Sequence, residues 1–280
     1  MSTDLHKRIS RFYDQSTDLW LDIWGEHMHH GYYPPDSPVS NHQEAQIRLI
    51  EESLSWAGIG NPRAILDAGC GVGGSARYLA RKYGAKAEGV NISSVQIQRA
   101  RELTSQADLG DRVTFAEQDL LSIDQSFGPY DLIWSMENAE HIAPKQDMLQ
   151  LFFDRLRPRG RLLLITWCTR DVSKVPLNKK EQRILDKLCR LYHLPPWISL
   201  RRYEELSEET GFQGIETADW STFVAPFWGA VIRSALSVRG LRGLARTGLS
   251  TMRGAWAMRY MQRGYRMGLI RFGLLQATKP

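Results

Sequence analysis

The run Ile65-Leu66-Asp67-Ala68-Gly69-Cys70-Gly71-Val72-Gly73-Gly74 constrains this chain more than any other stretch. An apolar strand leads into an acid, then a glycine-dense turn, then a helix beginning near Ser75. Glycine has no Cβ, so the backbone of such a turn takes positive φ readily and approaches a ligand closely. The helix that follows offers unpaired N–H groups at its start. A nucleotide-type ligand fits that combination. A dinucleotide site would want an acid after the second strand, about 20 residues on, for the adenosine ribose. Neutral Asn91 stands there.

The rest of the chain extends this unit. Helix is expected over 41–57, then strand 64–68, helix 75–83, strand 86–91, helix 93–107, strand 112–117, strand 130–136, helix 146–156 and strand 161–167. Strands alternating with helices imply an α/β domain whose parallel sheet is covered on both faces. Ligands in such sheets sit beyond the carboxyl ends of the strands, where Gly69, Asn91, Asp119, Glu137 and Trp167 fall. Two further helices (176–192 and 199–210) precede strands at 215–220 and 269–278, with residues 221–268 read as a helical insertion over the site. Residues 1–62 read as a helical cap and lid, with a broken helix over 4–24 and a glycine- and proline-rich loop over 25–35. Residues 63–168 form the ligand-binding core, and 169–280 add capping helices and the closing strands.

With 280 residues, 42% of them hydrophobic, the chain makes one large domain or a domain with an elaborated cap. No apolar run approaches the ~18–20 residues of a membrane span. The first residues lack the apolar core of a signal peptide and any Ser/Arg-rich transit segment. Cys70, Cys168 and Cys189 offer neither a disulfide framework nor metal spacing, which points to reduced thiols in the cytoplasm. The net charge of +5 is unevenly spread. Residues 220–280 contain nine arginines and Lys279 but no acid, so they carry +10 and residues 1–219 carry +5 − 10 = −5.

The glycine turn resembles motif I of class I S-adenosylmethionine (SAM) methyltransferases, where Asp67 suits the ammonium group of the cofactor. Three more segments narrow the resemblance. One is Phe12-Tyr13-Asp14 with Leu19-Trp20 and Trp24-Gly25-Glu26-His27-Met28-His29-His30-Gly31-Tyr32. A second is Trp134-Ser135-Met136-Glu137-Asn138-Ala139-Glu140-His141. The third is Thr217–Thr222, Ala225-Pro226-Phe227-Trp228 and the closing Arg263–Leu275 run. Together they resemble γ-tocopherol methyltransferases of the bacterial type, nearly end to end. The resemblance implies a Rossmann-like seven-stranded sheet, SAM as cofactor, and C-methylation of a hydrophobic prenylated acceptor, γ- or δ-tocopherol. Related enzymes methylate prenyl diphosphates, prenylated indoles or alkaloid nitrogens, and these are the alternative acceptors.

The cofactor set expected on this basis is Tyr13, Asp67, Gly69, Gly71, Asn91, Ile92, Gln96, Gln118, Asp119, Leu120 and Trp134. His29, His30, Tyr32, Trp167, Trp220 and Phe227 are expected at the acceptor. Methyl transfer from a sulfonium requires positioning and exclusion of water, and a phenolic acceptor also requires a base. Glu137, Glu140 and His141 are the candidates, since residues three and four apart would share one helical face. Two close carboxylates also raise one another's pKa. No metal is expected, because the histidines of His27–His30 cannot easily face one ion. Arg239, Arg242, Arg246 and Arg253 fall on one helical arc beside Leu241, Leu244, Leu249, Met252 and Trp256, the pattern of a helix lying on an anionic membrane surface. A diphosphate clamp is the other reading of those arginines. No nucleic-acid module is recognisable.

Overall fold

The computed structural model describes residues 17, 21, 25–35, 41–229 and 257–280. Thr17 and Leu21 are helical. The rest of the helix expected over 4–24, with Tyr13, and the 239–256 arginine arc lie outside the described residues.

Seven strands build one sheet: β1 Ala64–Ala68, β2 Lys86–Asn91, β3 Val113–Glu117, β4 Tyr130–Met136, β5 Leu156–Thr169, β6 Gln213–Asp219 and β7 Ile270–Thr278. Their order is β3-β2-β1-β4-β5-β7-β6. Strands β1 to β5 pair in parallel, while β7 runs antiparallel between β5 and β6. The hydrogen bonds of a central parallel strand lie under two helical layers, so β1, β4 and the Leu162–Ile165 stretch of β5 are mostly apolar. Strand alternation divides their side chains between the layers. Ile65, Leu132, Trp134 and Leu163 pack under the helices His42–Trp56, Gly74–Tyr83 and Ser94–Gln106. Leu66, Ile133, Leu162 and Leu164 pack on the other side with Met148, Phe152 and Tyr203. A third cluster, including Leu188, Phe227, Trp228, Met261 and Ile270, joins the capping helices to the start of β7.

Local chemistry sets the helix starts. The Asn41 side chain accepts from Glu44 N at 2.8 Å, and Ser93 Oγ accepts from Gln96 N at 3.1 Å. Asn178 and Glu181 form a reciprocal capping box at the start of Lys179–Leu191. Strand order reverses about β1, with β2 and β3 to one side and β4 and β5 to the other. The crevice at that switch, beyond the carboxyl ends of β1 and β4, is where a parallel sheet binds its ligand.

Two boundaries differ from expectation. Strand β5 starts at Leu156 rather than near 161, because Arg159 takes φ +64° and carries the chain through Arg157–Gly160 with a register shift against β4. The expected helical face after β4 is a three-residue 3-10 turn, Ala139–His141. Within the 221–268 insertion the described parts are helical, at 221–224, 226–229 and 257–266.

Candidate active site

The glycine turn hangs from β2: Gly69 N and Cys70 N both donate to Val90 O, at 2.9 and 3.1 Å. Gly69, Gly71 and Gly73 all have positive φ, +81°, +53° and +78°. At Gly71 a Cβ would stand in open space. The backbone there lines the cleft at the switch point, together with Asp67, Gly69, Asn91, Ile92, Gln96, Gln118, Asp119 and Leu120. Asn91 Nδ2 donates to Gln96 Oε1 at 2.6 Å, which orients both amides. Gln118 N donates to Asn91 O at 2.9 Å, bringing the ends of β2 and β3 together.

Asp67 is 3% exposed, and its Oδ2 has no hydrogen-bond partner among the described residues. Burial pushes its carboxyl up to about 7, against the opposing pull of the Ala76 N–H and the Arg77 charge. An unpartnered buried carboxylate oxygen beside a glycine cradle fits the ammonium group and backbone contacts that SAM would need. Trp134 is placed elsewhere: it is fully buried in the core, with Ile65 and Leu132, because strand alternation turns it away from the cleft.

The opposite wall comes from the N-terminal segment. Glu26, His27, Met28 and His29 line the cleft, and the amide of Gln46 holds the carbonyls of His27 and His29, the latter at 2.9 Å. Burial first, and the Arg77 charge second, pull His27 down to about 4. Burial also pulls His29 down to about 4.

His30 leaves that wall and binds Glu137. Its N–H donates to Glu137 Oε1 at 2.7 Å, and its Nδ1 meets Oε2 at 2.7 Å. Glu137 sits immediately after β4 with φ +50°, a conformation unusual for a side chain of this type and concentrated at functional sites. Burial pushes the Glu137 carboxyl up, but the two histidines and the hydrogen bonds outweigh it and hold it below the ordinary range. A neutral His30 that donates Nδ1–H to the carboxylate would carry its lone pair on Nε2. That atom is buried and has no partner among the described residues. It lies in a box of rings formed by Phe227 (4.3 Å between centroids), Trp228 (4.9 Å), Trp167 (5.5 Å) and Phe272 (5.5 Å). Trp167 Nε1 and Trp228 Nε1 are likewise buried without partners.

Glu140 and His141 separate in role. His141 lines the cleft, and burial pulls it down to about 3. Glu140 faces away, 1% exposed, and accepts from Thr166 Oγ1 at 2.8 Å. Burial, then the charge of Glu137, pushes it up to about 8. Buried Lys145 pins the turn between them, its Nζ donating to Ala139 O at 2.6 Å and Glu140 O at 3.3 Å. Tyr32 and Trp220 form a separate cluster: their rings lie 5.1 Å apart, and Phe223 stacks on Tyr32 at 4.8 Å. They fasten the N-terminal segment to the cap. Among the described residues no group of three or more His, Cys, Asp or Glu side chains is arranged to hold a metal ion.

Glu26, Trp228 and Phe272 fall within the segments that carry the resemblance, but sequence reasoning gave them no role. It missed Arg77, whose signal is a cation between Ala76 and Leu79 on the buried face of a helix.

Comparison with known proteins agrees with this geometry. The family model for mycolic acid cyclopropane synthetase matches residues 2–222. A chloroplastic tocopherol O-methyltransferase of Arabidopsis thaliana is 44% identical over 99% of this chain and 83% of its own length. A 2-methyl-6-phytyl-1,4-hydroquinone methyltransferase of Synechocystis sp. is 29% identical over 97% of this chain and 87% of its own. Among solved structures, a mycolic acid cyclopropane synthase complexed with S-adenosylhomocysteine (SAH) superposes with a TM-score of 0.85 at 19% identity, covering 98% of each chain. That likeness concerns the fold.

Proposed function

Because this chain belongs to the mycolic acid cyclopropane synthetase family of SAM-dependent methyltransferases, we propose that it methylates a ring carbon of a prenylated chromanol, γ- or δ-tocopherol. The observation that carries the proposal is the His30–Glu137 dyad, with its free Nε2 enclosed by aromatic rings. The tocopherol and methylphytylhydroquinone enzymes among its relatives support the acceptor class.

SAM, when bound, supplies the electrophilic methyl group. Asp67, Gly71, Asn91, Gln96 and Asp119 would hold it, and Glu26–His29 would screen it from water. His30 Nε2 takes the phenolic proton, and Glu137 stabilises the imidazolium that forms. The resulting phenolate places electron density on the ring carbon ortho to oxygen; that carbon would form the new C–C bond as the methyl's C–S bond breaks and SAH leaves. The same carbon would then lose its proton to solvent while the His30 imidazolium returns its proton to the ring oxygen, which restores the aromatic phenol and the neutral imidazole. Trp167 and Trp228 offer indole N–H groups to the acceptor oxygen, and the surrounding rings hold the chromanol face. We further propose that the exposed arginines of the C-terminal region rest on anionic lipid, the phase in which such an acceptor dissolves.

Incubation with SAM and γ-tocopherol should give a product one methyl heavier, with the methyl on carbon by NMR. His30→Asn and Glu137→Gln should each lower kcat by about 10²–10⁴, the scale of lost acid–base help. His30→Asn should leave SAH affinity within a few-fold. Turnover of geranyl diphosphate or an indole with none of any chromanol would overturn the acceptor. Wild-type kcat in both variants would overturn the dyad.

A further inference from the structure

We propose that Glu26 and Arg77 form a latch that makes closure over the cofactor and placement of His30 a single event, with Glu26 as a positioning residue. The inference rests on the reading above only for the cofactor class and for His30 as the base.

Arg77 lies in the helix that begins at the glycine turn and is 1% exposed. A guanidinium only donates, and every nitrogen here is used. Nη1 donates to Val72 O at 2.9 Å, to Thr104 Oγ1 at 3.1 Å and to Ala100 O at 3.4 Å. Nε donates to Glu26 Oε2 at 3.0 Å, and Nη2 donates to the same oxygen. One buried cation thus ties together the cofactor turn, the helix Ser94–Gln106 and the start of the N-terminal segment.

The pair is asymmetric. Arg77 cannot reach water where it stands, so it needs a counter-charge. The Glu26 side chain is 43% exposed and can exchange this partner for solvent. The contact is therefore reversible from the Glu26 side. Close approach adds to it: a Cβ on Gly74 would collide with the Glu26 carbonyl oxygen.

Five residues then carry both halves of the site. Glu26 to His29 line the cofactor cleft, and His30 provides Nε2. The segment is pinned at one end by Arg77, in the middle by Gln46 and at the other end by Glu137. Lifting it would break the Arg77 pair, open the cofactor wall and dissolve the His30–Glu137 dyad together. A ligand that contacts the segment only when closed shifts the equilibrium towards closure by its differential affinity. Cofactor binding would therefore assemble the base.

Hydrogen exchange of peptides covering residues 25–33, with and without SAH, tests this directly. In the wild type SAH should slow exchange there about tenfold or more. Glu26→Gln should abolish that protection and raise the Kd for SAH about tenfold, while Glu26→Asp, which keeps the charge, should recover part of both. In a background of Arg77→Met, adding Glu26→Gln should change neither quantity further. If Arg77→Met does not fold, the Glu26 variants decide alone. Glu26→Gln with wild-type SAH affinity and intact protection would overturn the latch, as would a lowered Tm with protection unchanged. A wild type that methylates no chromanol but loses SAH-linked protection on Glu26→Gln keeps the latch and overturns the acceptor assignment.

Discussion

Under the proposed cofactor site, Asp67 should link cofactor binding to pH. Burial raises its carboxyl to about 7 in the free protein, whereas a bound ammonium group favours the ionised form and lowers that value. The sign follows from linkage. Above about 7 the carboxylate is already charged, and affinity for a cationic ligand is level. As pH falls through that value, the ligand must first displace a proton, and affinity drops by up to about tenfold per pH unit. Calorimetric titration of SAH between pH 5.5 and 8.5 should show that break, and Asp67→Asn should flatten it. A pH-independent affinity in the wild type would show that Asp67 does not meet the ammonium group. Asp67, Gly69 and Gly71 were legible in the sequence because the turn is contiguous, so residue order alone fixes their neighbours. His30 and Glu137 are 107 positions apart, and no spacing rule joins them. Glu137 was visible from its place at the end of the fourth strand and His30 as an expected acceptor contact, but nothing in the sequence paired them.

Among the elements, the segment 26–30 and the helix Gly74–Tyr83 make the contact that shapes the cleft. Gly74 permits it, since its Cβ would overlap Glu26 O and lie 2.9 Å from His27 Nδ1. The first of these is backbone and cannot yield by rotating. Gly74→Ala should therefore push the segment outward, raise KM for SAM about tenfold and cost about 1–3 kcal/mol in forced repacking. The matching fall in Tm is about 2–4 °C per kcal/mol for a chain of this size class. Gly60, where a Cβ meets nothing within 4 Å, supplies the control: Gly60→Ala should leave KM unchanged and hold or raise Tm. Equal KM values in the two variants would mean that the segment does not wall the cofactor. The strands and helices were readable because period-two and period-3.6 patterns are local. The turn after β4 was not, since Glu137 is drawn into positive φ at the same place where His30 engages it. A helical face was expected for Glu137, Glu140 and His141, yet Glu140 turns inward to Thr166.

Across the whole molecule the charge is polarised, with +10 in residues 220–280 against −5 in the rest. The described part of that region shows how the charge is displayed. In the helix over 257–266, Ala257, Met261 and Gly264 are buried while Arg259, Arg263 and Arg266 are exposed. Spacings of four and three put the three arginines on one face. No helix among the described residues is long and apolar enough to cross a membrane; under the proposed lipid contact, the prenylated acceptor would be collected at the surface. Each arginine near an anionic leaflet contributes about 1 kcal/mol. Replacing Arg259, Arg263 and Arg266 with glutamine should then weaken binding to phosphatidylglycerol vesicles by about 10²-fold, on the scale of 1.4 kcal/mol per tenfold. Salt should weaken the wild type in the same direction as the Debye length shortens. Turnover of detergent-solubilised γ-tocopherol should survive in the triple variant, because these side chains are exposed whereas Phe227, Trp228 and Phe272 of the aromatic box are buried. Cosedimentation that detects no wild-type binding to anionic vesicles at low salt would remove the membrane role. Loss of turnover in detergent would instead place these arginines at the acceptor.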